Sequence, residues 1–340
     1  MKKRMLVPVL TLILVGIICS PSIAAIHWKW VHNQPVDSMI DEISISMIKE
    51  IEEKSEGQIE ISLFPASQLG DWMEMSEQIM RGSINIGILP VSPAYNQAIQ
   101  IRVLPYSVMN WSEARKAFLG DNPFLSKILE KEMDKIGLKA LGVIAEGFGG
   151  VGFAKVPDFD VIDPDTDKHG LKMRVTPGNQ AIEAFAKELG FIPASVPWAE
   201  VFMALQTKLV DCQMGGQPYT AYSTFLDVTK MWVQMNTHFQ QSFVYMNKKQ
   251  WEALAPELQQ IVQKAVHKYV EESFALAEAE DKHYMEEMEK AGVKVVVLSD
   301  EQLGKIASKI RKNVWPIMED IITKENMDTL LTGLGLPVSQ

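Results

Sequence analysis

From residue 170 the chain reads GLKMRV, and Leu171, Met173 and Val175 alternate with Lys172 and Arg174, the period-2 pattern of a half-buried strand. The alternation takes the Arg174 guanidinium off the core face near the strand end, where it can meet an anion. The same pattern also suits a surface arginine on an edge strand. Short apolar runs predict further strands over 26–31, 58–63, 84–89 and 139–144. Amphipathic stretches predict helices over 38–54, 72–81, 112–119 and 125–135. Alternating strands and helices imply an α/β sheet, and 340 residues without an internal repeat or low-complexity linker are enough for two lobes.

After the 170–175 strand comes a helix and then GFIPASVPWAEVFMALQTKLVDCQ, from Gly190 to Gln213. This run resembles the signature region of the solute-binding proteins of tripartite ATP-independent periplasmic (TRAP) transporters. The resemblance covers nearly all of the chain beyond its first 25 residues. Residues 50–89 are similar to the family's opening helix, strand, helix and strand, Val103, Leu104, Pro105 and Tyr106 to its LPF turn, and 243–265 to the strand and helix that return across its hinge.

The resemblance implies two α/β lobes around a central ligand cleft, with a long helix over about 250–290 spanning both. It divides the chain into lobe I, 26–145 plus 241–280, and lobe II, 146–240 plus 281–340. It further implies a receptor without catalytic activity or cofactor, which captures an organic carboxylate by lobe closure and delivers it to the transporter's membrane subunits. A sensing receptor not coupled to transport would use the same cleft.

Within that framework Arg174 is the expected carboxylate anchor, Trp198 an aromatic wall, and Gln213 a further ligand contact. Gly149 stands where the family usually has a second arginine, and Gly215 stands where it has an asparagine. Trp72 replaces an acid found in a sugar-acid-binding relative, and the strand end beyond Ile88 offers only Leu89 and Pro90. Glu146 and Phe148 complete the expected site, with Glu146 suited to an ammonium group; Tyr219 and His32 are weaker candidates. These substitutions predict an apolar, aromatic cleft around one arginine. Its expected ligand is an aromatic or bulky apolar monocarboxylate, an indole or phenyl acid or a tryptophan-like amino acid, with C4-dicarboxylates and sugar acids as the alternative.

The start of the chain supports an address outside the cytoplasm. Lys2, Lys3 and Arg4 precede an apolar stretch over 5–19 and small residues at Ser22, Ala24 and Ala25, the layout of a cleaved signal peptide over 1–25. About 15 apolar residues broken by Pro8 are short against the roughly 20 needed to span a bilayer, so no stable membrane insertion is expected after cleavage. Isoleucine at position 18 argues against a lipoprotein signal at Cys19.

Beyond the leader Cys212 is the single thiol, so the fold must rest on its core rather than on a disulfide. The formal charge of −10, less the three positive charges of Lys2, Lys3 and Arg4, is −13, which disfavours nucleic acid as a partner. No phosphate loop, dinucleotide fingerprint, metal-ligand spacing or nucleophile elbow is present. Ser92 and His32 are the residues a hydrolase reading would have to bring together, and no motif frames them.

Overall fold

The computed structural model describes residues 25–338, so the expected signal peptide lies outside the described residues except for Ala25. Eleven strands form two sheets among these residues: β1 (Ile26–His32), β2 (Ile59–Phe64), β3 (Ile86–Leu89), β4 (Leu138–Phe148), β5 (Val151–Phe153), β6 (Lys172–Val175), β7 (Ile192–Ser195), β8 (Cys212–Met214), β9 (Met231–Gln234), β10 (Phe239–Asn247) and β11 (Lys294–Val297). The first sheet has the order β2-β1-β3-β10-β4 and the second β11-β9-β5-β8-β6-β7. In each, a parallel set is joined by one antiparallel crossing strand: β10 runs against β3 and β4, and β5 runs against β8 and β9.

Helices cover the sheets because their apolar residues fall on one stripe. In the helix Met39–Lys54, Ile40, Ile43, Met47, Ile48 and Ile51 are buried at helical spacing, and Ser38 caps the first turn by accepting from the Asp41 N–H. The helix Trp72–Arg81 opens on a reciprocal capping box between Asp71 and Glu74. This start fixes where Trp72 emerges beside the first sheet.

The two sheets communicate through three crossings. β4 leads into β5 through Gly149 and Gly150, and β9 returns to β10 through residues 235–238. The two strands are tied where they cross, with Gly149 N–H donating to the His238 carbonyl and Thr237 N–H to the Gly149 carbonyl, both at 2.9 Å. A side chain has no room there: a Cβ on Gly149 would lie 2.5 Å from His238 Cε1, and one on Gly150 would lie 2.4 Å from Trp232 Cζ2. The third crossing is the helix Pro256–Lys290, whose 35 residues span about 50 Å at about 1.5 Å each. Its Val266 and Val270 press on Gly142 of β4, and its Asp281 Oδ2 accepts from the Phe148 N–H at 2.9 Å.

Four boundaries differ from the sequence-based expectation. The sheets change at 149–150 and 235–238, rather than at 145/146 and 240/241, because β4 and β10 stay paired as far as Phe148 and Phe239. The helix expected from about 250 is two helices, Lys248–Glu252 and Pro256–Lys290, since Pro256 cannot donate within a helix and takes its first position instead. The C-terminal stretch does not lie wholly with the second sheet. β11 pairs with β9, but Trp315 Nε1 donates to the Pro105 carbonyl at 2.9 Å and Asn326 Nδ2 to Glu132 Oε1 at 2.9 Å, which places 315–334 against the first sheet's helices.

Glycine substitutions test the crossing. Gly150→Ala is expected to lower unfolding stability by about 1–3 kcal/mol through overpacking against Trp232. Gly304→Ala, in an open helical position with nothing within 4 Å, is expected to raise it by about 0.5–1 kcal/mol. Denaturant titration of both variants against the parent chain checks the pair.

Candidate ligand-binding site

A cleft with a volume of about 190 Å³ lies between the two sheets and takes residues from both. From the second sheet comes Arg174, which sits on an interior strand, since β6 is bordered by β7 and β8. Its guanidinium is buried, with Nε donating to the Val196 carbonyl at 2.9 Å and Nη1 to the Met214 carbonyl at 3.4 Å. The guanidinium carbon lies 5.4 Å from the Trp198 ring centroid, within cation–π range. Trp198 is itself held edge-on by Phe225 at 5.2 Å.

From the first sheet's side comes Arg102, near the end of the 3-10 turn Gln97–Val103. Its side chain is buried, its Nη1 has no hydrogen-bond partner, and its guanidinium carbon lies 5.9 Å from the Trp72 ring centroid. Burial pulls the pKa of each arginine down to about 10, which leaves both cationic at neutral pH. Neither makes an ion pair within 4.0 Å among the described residues.

The rest of the lining is mostly polar. Glu146 near the end of β4 accepts from Ser242 Oγ at 2.6 Å and from Gln34 Nε2 at 3.0 Å. Burial raises its pKa, against the opposing pull of Ser242 and of the Arg102 charge. His238 is pushed down to about 4 by burial and is a neutral imidazole; it lies between Thr237 Oγ1 at 3.0 Å and Gln240 Oε1 at 3.2 Å. Asn33, Asn179, Gln217 and Thr220 add amide and hydroxyl groups to the walls.

Six of the residues expected from sequence therefore meet at one cleft: Arg174, Trp198, Trp72, Pro90, Glu146 and Gly215. Gly215 has a φ of +128° and a Cβ there would lie 3.2 Å from Arg174 Nη1, so a glycine keeps the space beside the guanidinium clear.

Four do not line it. Leu89 is buried opposite Phe243 in the β3/β10 ladder, and Phe148 belongs to an aromatic cluster with Trp111 at 5.4 Å and Phe239 at 5.2 Å. Gly149 is crossing backbone, and Gln213 is buried in β8 with its Oε1 unpartnered. The weaker candidates also fall outside: His32 Nε2 is held by Asp41 Oδ1 at 3.0 Å, and Tyr219 packs on Tyr284. Ser92 accepts from the Ala94 N–H, so the serine and histidine of a hydrolase reading have other partners.

The expectation of an apolar cleft around a single arginine is overturned, because Arg102 supplies a second guanidinium and amides line much of the wall. Sequence reasoning passed over Arg102 although a signal existed: it is the lone charge in the run 98–104, which is apolar apart from Gln100, and a charge there needs a reason.

Residues 31–320 match the profile of the bacterial extracellular solute-binding proteins, family 7. The chain belongs to this family. It is 25% identical over 252 residues to the 2,3-diketo-L-gulonate-binding periplasmic protein YiaO of Escherichia coli, which covers 72% of this chain and 73% of that one. A TRAP periplasmic solute-binding protein of Haemophilus influenzae with bound L-gulonate superposes with a TM-score of 0.80 at 24% identity, covering 91% of this chain and 99% of that one. Another, from Desulfovibrio salexigens with bound orotic acid, gives 0.80 at 21% identity over 91% and 97%. The fold is thus the two-lobed fold of TRAP solute-binding proteins, and the family consists of receptors rather than enzymes. No helix among the described residues is long and apolar enough to cross a membrane.

Behind Glu146 a small space is lined by Gln34, Gln217 and Glu280 of the long helix. Burial, with Glu42 and Glu146 nearby, pushes Glu280 up to about 7. Its folded pKa lies above the unfolded value near 4.5, so the folded state holds the extra proton between about pH 4.5 and 7, and that stabilisation is lost as pH rises through the folded value. Glu280→Gln is therefore expected to raise the melting temperature at about pH 8 and to change it little at about pH 4. Equal shifts at both values would contradict the assignment.

Proposed function

We propose that this receptor works in the periplasm, closing on a small organic acid with two anionic or strongly accepting ends, and hands it to TRAP membrane subunits. The observation that supports this reading is the pair of buried guanidinium groups, Arg102 and Arg174, lining one cavity without an ion-pair partner. A buried charge left unpaired is strongly unfavourable, so an acid that neutralises both is favoured over one that reaches only the first. Amides at Asn33, Asn179, Gln217 and Gln240 suit hydroxyl or carbonyl oxygens between the two ends.

An aromatic monocarboxylate fits this cleft less well. That ligand needs a cleft without a second arginine, with Trp198 and Trp72 free to meet a ring. In the structure each tryptophan lies against a guanidinium instead, Trp198 with Arg174 and Trp72 with Arg102. The polar acids named for YiaO and for the two structural neighbours, a diketogulonate, a gulonate and an orotate, are in keeping with a two-arginine site.

Calorimetric titration with succinate, gluconate, orotate and indole-3-acetate tests the reading. Arg174→Ala should weaken the preferred acid by about 2–5 kcal/mol, about thirtyfold to several thousandfold, and Arg174→Lys should recover part of the loss. Arg102→Ala should weaken diacids and sugar acids strongly and indole-3-acetate little. Tightest binding by indole-3-acetate, unaffected by Arg102→Ala, would overturn the two-arginine site.

Closing makes a separate prediction. Small-angle scattering should give a smaller radius of gyration with the preferred acid than without it, and the acid should be recovered unchanged after long incubation. An unchanged radius at saturation would count against lobe closure.

A further inference from the structure

The cleft continues past Arg102. A second chamber of about 100 Å³ shares Trp72, Arg102, Val103, Thr176 and Asn179 with it, and is bounded further by Met73, Pro93, Ala94 and Pro177. Residues from both sides of the cleft form it: 72–73 and 92–103 come from the first sheet's side and 176–179 from the loop after β6. Gln100 Oε1 accepts from the Gln180 N–H at 2.8 Å and so holds the two sides together beside the chamber.

Apart from Arg102, Thr176 and the Asn179 amide nitrogen, the polar side chains around this chamber have partners in the protein. Gln100 Nε2 donates to Gln97 Oε1, Gln97 Nε2 donates to the Pro93 carbonyl at 3.0 Å, and Asn179 Oδ1 accepts from the Ile182 N–H at 3.1 Å. Ser92 Oγ accepts from the Ala94 N–H at 3.3 Å. What remains to meet an occupant is mainly the Trp72 and Met73 side chains, the Pro93 and Pro177 rings, Ala94 and Val103. An occupant gains here by leaving water rather than by hydrogen bonding.

We propose that this chamber receives an uncharged, apolar branch of the bound acid, so that the receptor's ligand class is a compact two-ended acid carrying a short alkyl or aryl substituent. This rests on the two-arginine reading, which places the acid head on the other side of Arg102. The space is large enough for a short branch. Burying each methylene tightens binding about threefold to fourfold. Trp72 then has two roles, one face set by Arg102 and its remaining surface available to the branch.

Calorimetric titration with succinate, 2-methylsuccinate, 2-propylsuccinate and 2-benzylsuccinate, with gluconate alongside, tests the chamber. Affinity is expected to rise about threefold to fourfold per methylene from succinate to 2-propylsuccinate. Ala94→Phe, which fills the chamber from an exposed position, should erase that increment while leaving succinate unchanged. Met73→Ala removes a wall and should reduce the increment as well, which keeps the test usable if the first variant does not fold. Equal affinity across the series, or a loss in Ala94→Phe as large for succinate as for 2-propylsuccinate, overturns the proposal. Silence of the whole succinate series, with gluconate bound and dependent on both arginines, overturns the chamber alone; silence of gluconate and the succinates together removes the two-arginine reading as well.

Discussion

Moving a guanidinium out of water is unfavourable by several kcal/mol even after the protein relaxes, and a cation so placed normally has a carboxylate beside it. Arg102 and Arg174 are buried in one cleft, and neither has one within 4.0 Å among the described residues. Their direct contacts are instead neutral groups, and Glu146 acts on Arg102 through its field without an ion pair. Arg174 donates to the backbone carbonyls of Val196 and Met214, and the two tryptophan faces flank the guanidinium groups. Carbonyl dipoles and ring quadrupoles hold a guanidinium in place without cancelling its charge. The positive field therefore stays available to a ligand, and at about 4 Å an anion would gain about 4 kcal/mol per arginine at an effective dielectric constant near 20.

The same requirement reaches the crossing strands. His238 faces the cleft beside Arg102, and burial with that nearby charge pulls it down to about 4, so the crossing adds no third cation. Glu146 lies close enough to feel Arg102 but spends its oxygens on Ser242 and Gln34, and burial raises its pKa. Asp281 anchors the long helix to the crossing by accepting from the Phe148 N–H, and burial raises its pKa strongly. The acids and bases of the hinge are thus shifted toward their neutral forms, while the cleft arginines keep their charge. If the lobes close as proposed, the distance between two positive groups changes, and an anion placed between them offsets the repulsion that closure would otherwise raise.

Much of the fold was legible because it is written in periodicity. The GLKMRV alternation gives β6, and the helix Met39–Lys54 follows from its apolar stripe and its serine cap. What periodicity could not give was pairing between distant segments. That β10 runs from Phe239 to Asn247 against β4, and that 315–334 packs on the first sheet's helices, depend on long-range contacts that no local pattern encodes. Pro256 was visible, yet its effect was missed because the apolar pattern continues through it. In the site, the signature-bearing segment supplied Arg174, Trp198 and Gly215, whereas Arg102 lies on a short 3-10 turn with neither helical nor strand periodicity.

On the proposed two-arginine reading, Arg102 supplies a charge that Gly149 does not. The family resemblance implies an arginine where this chain has Gly149, and here the place has no room for any side chain, because its Cβ would strike His238. A cation could not be kept at that point of the crossing without moving β10. What a bound acid senses is charge at a location in the cleft, not charge at a position in the chain. On the proposed two-arginine reading, a guanidinium reaching in from the 97–103 turn meets the same electrostatic need from a different element, and Trp72 provides one face for it. A carboxylate at position 72, against Arg102, would neutralise a charge that the proposed two-arginine reading leaves to the ligand.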